Sequence, residues 1–286
     1  MKTSLSHLPE NKRYEIHRIA EIIREGVNPE KIILFGSHAK GTHVEHRYQS
    51  KDGMINEYVS DYDFLVVTNS NSEKSYVQES TVLDRVDRYN PPVNLEIHEI
   101  DFINQGLEWG QYFFSDIVKE GILLFDAGNV QFKEPRLLTK DEERKRAEDY
   151  FNHWFPKSKE FIIDSKNALD RMSLFNGAFY LHQATESLYY TILLVFTGYK
   201  PKTHNLWKLR KKTKIYSEDL FLVFRAETDK QEKHLFELLK QGYVEARYNQ
   251  KNYDINKELL GELVNRVEIM MSLVSRICQT ELLRLQ

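Results

Sequence analysis

An α+β domain followed by an all-α helical bundle is the fold class this sequence predicts, on three observations. Short apolar runs at 31–35, 62–67 and 93–98 have strand length and are separated by helix-like segments. After Gly128 and Pro135 the strand signal stops, and long stretches of helical periodicity fill the remainder. The chain of 286 residues is long enough for two separate cores. The expected domains are 1–130, a mixed sheet flanked by helices, and 131–286, the bundle.

Ile16, Ile19, Ala20 and Ile23 recur at i, i+3, i+4 and i+7, predicting an amphipathic helix over 11–25 that Gly26 can close. Strand 31–35 runs into Gly36-Ser37, from which a short helix can start. Residues 43–60 hold two extended-looking runs around Asp52-Gly53, a signal for an inserted β-hairpin. A polar break at 69–72 precedes a helix to about Tyr89, which Pro91-Pro92 ends. Val93-Asn94-Leu95-Glu96-Ile97-His98 alternates apolar with polar, as a half-buried strand does. A further helix and a strand at 121–125 complete the domain. Residues 126–138 read as a connector. Helices are then expected over 139–170, 173–197, 205–213, 217–224, 230–247 and 255–285.

Bulk composition excludes several classes. A hydrophobic fraction of 41% with 29% charged residues is that of a globular chain rather than a disordered one. A net charge of -3 provides no global attraction to nucleic acid or to an anionic membrane. Cys278 is the single cysteine, so an internal disulfide framework is excluded and a reducing compartment suits the chain. No apolar run approaches the roughly 20 residues that cross a bilayer, and the N-terminus lacks a signal-peptide core. A cytoplasmic location without membrane partners is the expectation.

The chemistry concentrates in two strands. Alternation sends Asp61 and Asp63 to the same face of a strand. Two adjacent carboxylates repel unless a cation sits between them, so the pair reads as a divalent-metal site. Gly36-Ser37, at the end of the preceding strand, reads as a turn able to hold phosphate. Together they point to nucleotide chemistry.

Gly36-Ser37-His38-Ala39-Lys40-Gly41-Thr42, followed by Ser60-Asp61-Tyr62-Asp63, resembles the signature of the minimal nucleotidyltransferases of the DNA polymerase β superfamily. The resemblance covers about residues 10–125 and implies a core fold like that of kanamycin nucleotidyltransferase. It further implies that Asp61 and Asp63 hold two Mg²⁺ ions, and that an NTP is the substrate. Gly36 and Ser37 would contact the phosphates, with Lys40 as an additional cation. The third carboxylate, catalytic and metal-binding, would be Glu96, while Asn94 stands as the alternative occupant of that position. The longer interval between Ser37 and Asp61 is accounted for by the inserted hairpin.

The second half, with Leu181-His182-Gln183-Ala184-Thr185-Glu186-Ser187 and Thr197-Gly198-Tyr199-Lys200-Pro201-Lys202-Thr203-His204, looks like a HEPN domain. That resemblance implies a homodimer through the helical domain. Many HEPN domains are ribonucleases carrying an Arg followed four to six residues later by His. The window after Arg247 contains no histidine, only Asn252 and Tyr253 as phosphate-binding candidates, so ribonuclease activity is not expected. His182 and Glu186 share a helix face and read as a satisfied core pair, with a nucleotide or partner groove as the alternative. Lys200, Lys202, Lys208, Arg210, Lys211, Lys212 and Lys214 form an acid-free basic segment, read as a solvated face with polyphosphate or RNA binding as the alternative. His43, His46 and His98 lack a neighbouring Cys and are not read as a zinc set.

The function expected is transfer of a nucleoside monophosphate from an NTP to an acceptor hydroxyl of a small molecule, protein or RNA. The alternatives are a nucleotide-binding regulatory module without turnover and an antitoxin-like protein that modifies a partner's hydroxyl.

Overall fold

The structure, a computed structural model, describes residues 1–43, 45–49, 55–69, 75–248, 251 and 253–286, with backbone alone at 45–49, 55–59, 75, 76 and 248. The chain forms two units, Met1–Leu137 and Leu138–Gln286, each with its own apolar core. The division falls beyond the expected 130 because the connector folds back on the first unit. Ala127 N–H donates to the Glu30 carbonyl at 2.9 Å, Lys133 N–H to Asn104 Oδ1 at 2.8 Å and Arg136 N–H to the Leu107 carbonyl at 3.0 Å.

The first unit runs α1 (Glu10–Val27), β1 (Lys31–Phe35), α2 (Gly36–Lys40), β2 (Glu45–Gln49), β3 (Ile55–Val59), β4 (Tyr62–Thr68), α3 (Ser75–Val86), β5 (Val93–Glu99), α4 (Ile100–Glu108), α5 (Tyr112–Glu120) and β6 (Ile122–Asp126). The sheet order is β5-β4-β1-β6, with β4 and β5 parallel and the other pairs antiparallel. Helix α3 makes the crossover that a parallel pair requires. Ile16, Ile19, Ile23 and Val82 cover one face of the sheet through Ile32, Leu34, Phe64 and Val66. Ile103, Leu107, Phe114 and Ile117 of α4 and α5 are buried in the layer on the other side. The mixed sheet flanked by helices is therefore present.

β2 and β3 pair antiparallel as a separate hairpin, with Glu45 opposite Val59 and Gln49 opposite Ile55. The expected Asp52-Gly53 turn lies outside the described residues. Two sequence boundaries shift. Helix α3 ends at Val86 rather than about Tyr89, and the segment before β6 forms two helices divided at Trp109-Gly110.

Every regular element among the described residues of the second unit is a helix: α6 (Lys140–Asp170), α7 (Leu174–Thr197), α8 (Leu206–Thr213), α9 (Glu218–Leu222), α10 (Lys230–Gln241), α11 (Glu245–Tyr248) and α12 (Lys257–Arg284). Thr139 and Glu142 close a capping box at the start of α6. Helix α7 is buried on most sides against α6 and α12, which its near-continuous apolar sequence requires. The expected helix over 230–247 breaks at Gly242. A Cβ there would lie 2.7 Å from the Ala178 carbonyl oxygen, so glycine lets the chain pass close to α7. Among the described residues no helix is long and apolar enough to cross a membrane.

Candidate functional site

Because β1 and β4 are antiparallel, the end of β1 and the start of β4 share one edge of the sheet, with Phe35 opposite Asp63. This brings Gly36-Ser37 beside the carboxylates. Gly36 has φ +74°, and a Cβ at that position would stand 2.5 Å from Asp63 Oδ2. The positive φ favours glycine, and a side chain there would displace the Asp63 carboxylate. Ser37 is half-buried in the turn that opens α2, and its carbonyl accepts the Thr42 N–H at 2.9 Å.

A residue without a sequence signal joins these pieces. His38, fully buried, donates Nε2–H to the Ser60 carbonyl at 2.9 Å, tying α2 to the segment that carries Asp61. Its ring packs between His43 and Tyr62, with centroids 4.6 Å away in each case. His7 in turn donates to the His38 carbonyl at 2.8 Å. The phosphate-side turn and the carboxylate strand are held as one body.

Asn94 faces the carboxylates. It lies opposite Asp63 in the parallel β4–β5 register, and its Nδ2 donates to Asp61 Oδ2 at 3.1 Å and to Asp63 Oδ1 at 3.0 Å. The two accepting oxygens are therefore within about 6 Å of each other. At that separation two anions repel by on the order of 1–3 kcal/mol, reduced here because both groups are half open to solvent. The amide supplies one N–H to each and offsets part of that repulsion.

Glu96, expected as the third carboxylate, occupies another place. It lies opposite Leu65, one pleat repeat farther along β5 and under the layer formed by α4 and α5. Its Oε2 is 3.2 Å from Nε2 of buried His98, whose ring stacks on Phe102 at 5.1 Å. The structure thus brings together Gly36, Ser37, Asp61, Asp63 and Asn94, with Glu96 a step deeper. Lys40 points to α5, where Nζ pairs with Glu120 at 2.7 Å, and holds that carboxyl below its ordinary pKa. Of the three histidines considered for zinc, His43 stacks on His38 and His98 pairs with Glu96; the side chain of His46 lies outside the described residues.

Among the described residues no cluster of three or more His, Cys, Asp and Glu side chains is arranged to hold a metal. Mg²⁺ seldom needs one, since it is ordinarily held by one or two carboxylates together with substrate phosphates and water. Asp61 and Asp63 fit an ion of that kind, although the Asn94 amide turns its N–H groups rather than its oxygen toward them.

The helical unit keeps its polar groups inside. Glu186 is 8% exposed and accepts from His204 Nδ1 at 2.6 Å. Burial raises the Glu186 pKa, while the neighbouring imidazole opposes the shift. His182 is 1% exposed, with Nδ1 donating to the Leu239 carbonyl at 3.2 Å. Burial pushes its pKa down to about 4. Tyr243 stacks on His204 at 5.1 Å and carries the Arg247 guanidinium 4.4 Å above its ring.

Two expectations for this unit change. Arg210 is not on a basic face. It is fully buried, with Nη2 donating to Glu227 Oε2 at 2.8 Å and to the Phe221 carbonyl at 2.8 Å, and also to the Phe224 carbonyl. Its position completes the inward i, i+3, i+4, i+7 stripe of Leu206, Leu209, Arg210 and Thr213, a signal readable in the sequence. Lys200 lies over the Tyr190 ring at 4.4 Å and Lys214 over the Phe221 ring at 4.5 Å. Tyr253 is a core residue whose hydroxyl donates to the Leu238 carbonyl at 2.8 Å, so it is not placed to hold phosphate; Asn252 lies outside the described residues.

Residues 151–277 match the family model of the HEPN domain, a span that lies within the helical unit. That part of the chain is similar to HEPN domains. No match to a curated protein was found.

Proposed function

We propose that the first unit is a Mg²⁺-dependent nucleotidyltransferase that moves a nucleoside monophosphate from an NTP to an acceptor hydroxyl. The observation that carries this reading is the juxtaposition of the Gly36 turn and the Asp63 carboxylate at one end of the sheet, where a Cβ on residue 36 would come within 2.5 Å of Asp63 Oδ2. Such a site juxtaposes a cation-holding carboxylate pair with a turn whose backbone a triphosphate could approach. The bound ion would neutralise phosphate charge and align the acceptor oxygen with the α-phosphorus. Asp61 and Asp63 would hold it, Gly36 would let the Asp63 carboxylate close against the turn, and Ser37 would contact the phosphates. His38 would keep the two halves in register through the Ser60 carbonyl. Glu96, one pleat repeat along β5 and beside His98, would orient the site rather than ligate the ion.

A second reading, nucleotide binding without turnover, is favoured by Asn94 standing opposite Asp63 where the resemblance implies an acid. Incubating the full chain with each NTP, Mg²⁺ and pools of small-molecule, protein and RNA hydroxyl acceptors separates the two. Pyrophosphate release with a matching mass gain on an acceptor supports transfer. NTP binding without either supports the regulatory reading. In both readings the helical unit is proposed to form the homodimer, which light scattering of the purified chain checks.

A further inference from the structure

Resting on the nucleotide-site reading above, we infer that the arm formed by residues 2–8 is a strap that sets the position of the Gly36-Ser37 turn, with His7 as its positioning residue. Helix α2, which this turn opens, has five residues. A helix that short is not stable by itself, so contacts with its surroundings hold it. His38 ties it to the carboxylate strand through its ring, 2.9 Å from the Ser60 carbonyl. The backbone carbonyl of the same residue accepts from His7 Nε2 at 2.8 Å. A carbonyl only accepts, so that nitrogen of His7 carries a proton. The His7 ring also lies against the C-terminal end of α2, where a Cβ on Gly41 would stand 3.3 Å from His7 Cδ2.

His7 is itself held in place. Lys2 N–H donates to the Gly121 carbonyl at 3.2 Å and the Lys2 carbonyl accepts from Leu123 N–H at 2.8 Å, so the arm adds to the β6 edge of the sheet. Leu5 and Leu8, on either side of His7, are buried in the core of the first unit, and Leu8 N–H donates to the Leu5 carbonyl at 2.9 Å. These anchors pin the arm while the His7 side chain stays exposed. An exposed imidazole adds little to the core, so its bond acts on α2. Without it the C-terminal end of α2 is freer to move, and with it Ser37, whose carbonyl accepts the Gly41 and Thr42 N–H groups. The consequence falls on the phosphate end of a bound nucleotide, whichever base that nucleotide carries.

The full-length wild type, H7A and H7Q are compared by hydrogen exchange with mass spectrometry and by calorimetric titration. The ligands titrated with Mg²⁺ are tripolyphosphate and a non-hydrolysable ATP analogue. In H7A the amides of 37–42 should exchange several-fold faster, and both ligands should bind about three- to tenfold more weakly. H7Q, whose side-chain amide can donate to the same carbonyl, should restore both properties to within about twofold. Unchanged exchange in H7A would overturn the strap. Weaker binding that H7Q fails to restore, or that accompanies a lower unfolding midpoint of the first unit, would overturn it as well. Faster exchange with unchanged affinity would overturn its role at the phosphate turn. If wild type binds neither ligand, the nucleotide-site reading fails and the inference with it, even where exchange shows that the arm holds α2.

Discussion

Two sets of polar residues in this protein are built on opposite principles. At the sheet edge of the first unit, Asp61, Asp63 and Asn94 are half-exposed, and two like charges are held together by an amide. In the helical unit, Glu186, His182 and Arg210 are buried, and each polar head meets a hydrogen-bonding partner within that unit. A buried ionic group that is satisfied internally contributes to order, and its removal costs stability. Carboxylates gathered at an open edge contribute little to stability, and the proposed function gives them an ion from outside to hold. The contrast predicts that substitutions in the helical cluster change unfolding, and those at the sheet edge change binding.

The largest effect should come from Arg210→Met. Removing the guanidinium leaves Glu227 and the Phe221 and Phe224 carbonyls without their donor, and should destabilise the helical unit by about 3–5 kcal/mol. Chemical unfolding monitored by circular dichroism reads this. A shift below about 1 kcal/mol would mean that Arg210 is replaceable packing.

Acid should act next, through His182. Its folded pKa of about 4 lies below the ordinary histidine value of 6.5, so protons favour the unfolded chain. The sign is therefore loss of stability as pH falls from 6.5 towards 4, by up to about 3 kcal/mol. Glu186, whose pKa is raised, works in the opposite direction over the lower part of that range. Comparison of wild type with His182→Gln isolates the histidine. Unfolding curves at several pH values should converge in acid, and parallel curves would contradict the burial argument.

Gly36→Ala should sharpen the contrast from the other side. Strained backbone and displacement of Asp63 should weaken Mg²⁺–NTP binding by about 1–3 kcal/mol, while the helical unit unfolds as before. Calorimetric titration and unfolding of the same sample measure both. Smallest should be Lys40→Ala. Its exposed pair with Glu120 is worth less than about 1 kcal/mol, so nucleotide affinity should change by under about fivefold. A loss beyond about tenfold would return Lys40 to the phosphate site.

What the sequence disclosed follows from what is local. The run into Gly36-Ser37 and the alternation that puts Asp61 and Asp63 on one face are both written in short windows. Alternation also placed Asn94, Glu96 and His98 on one face of β5. It does not say which of them meets Asp63, because that depends on the register of two parallel strands joined through α3. His38 left no trace for the same reason, since its partner Ser60 is reached only across the inserted hairpin. Arg210 is different. The inward stripe of α8 was legible, but the surrounding lysines suggested a solvated face, and Glu227 together with the Phe221 and Phe224 carbonyls explains how a guanidinium enters the core. Gly242 likewise interrupts a helical pattern for a tertiary reason, the close approach to Ala178.

The central claim is that the sheet edge of the first unit is a metal–triphosphate site built on Asp61 and Asp63. Isothermal titration of a non-hydrolysable NTP in the presence of Mg²⁺, with wild type against Asp61→Asn/Asp63→Asn, tests it most directly. The account predicts Mg²⁺-dependent binding in wild type that weakens by about a hundredfold or more in the double variant, with unfolding of both units unchanged. Equal affinity in the two proteins would contradict it.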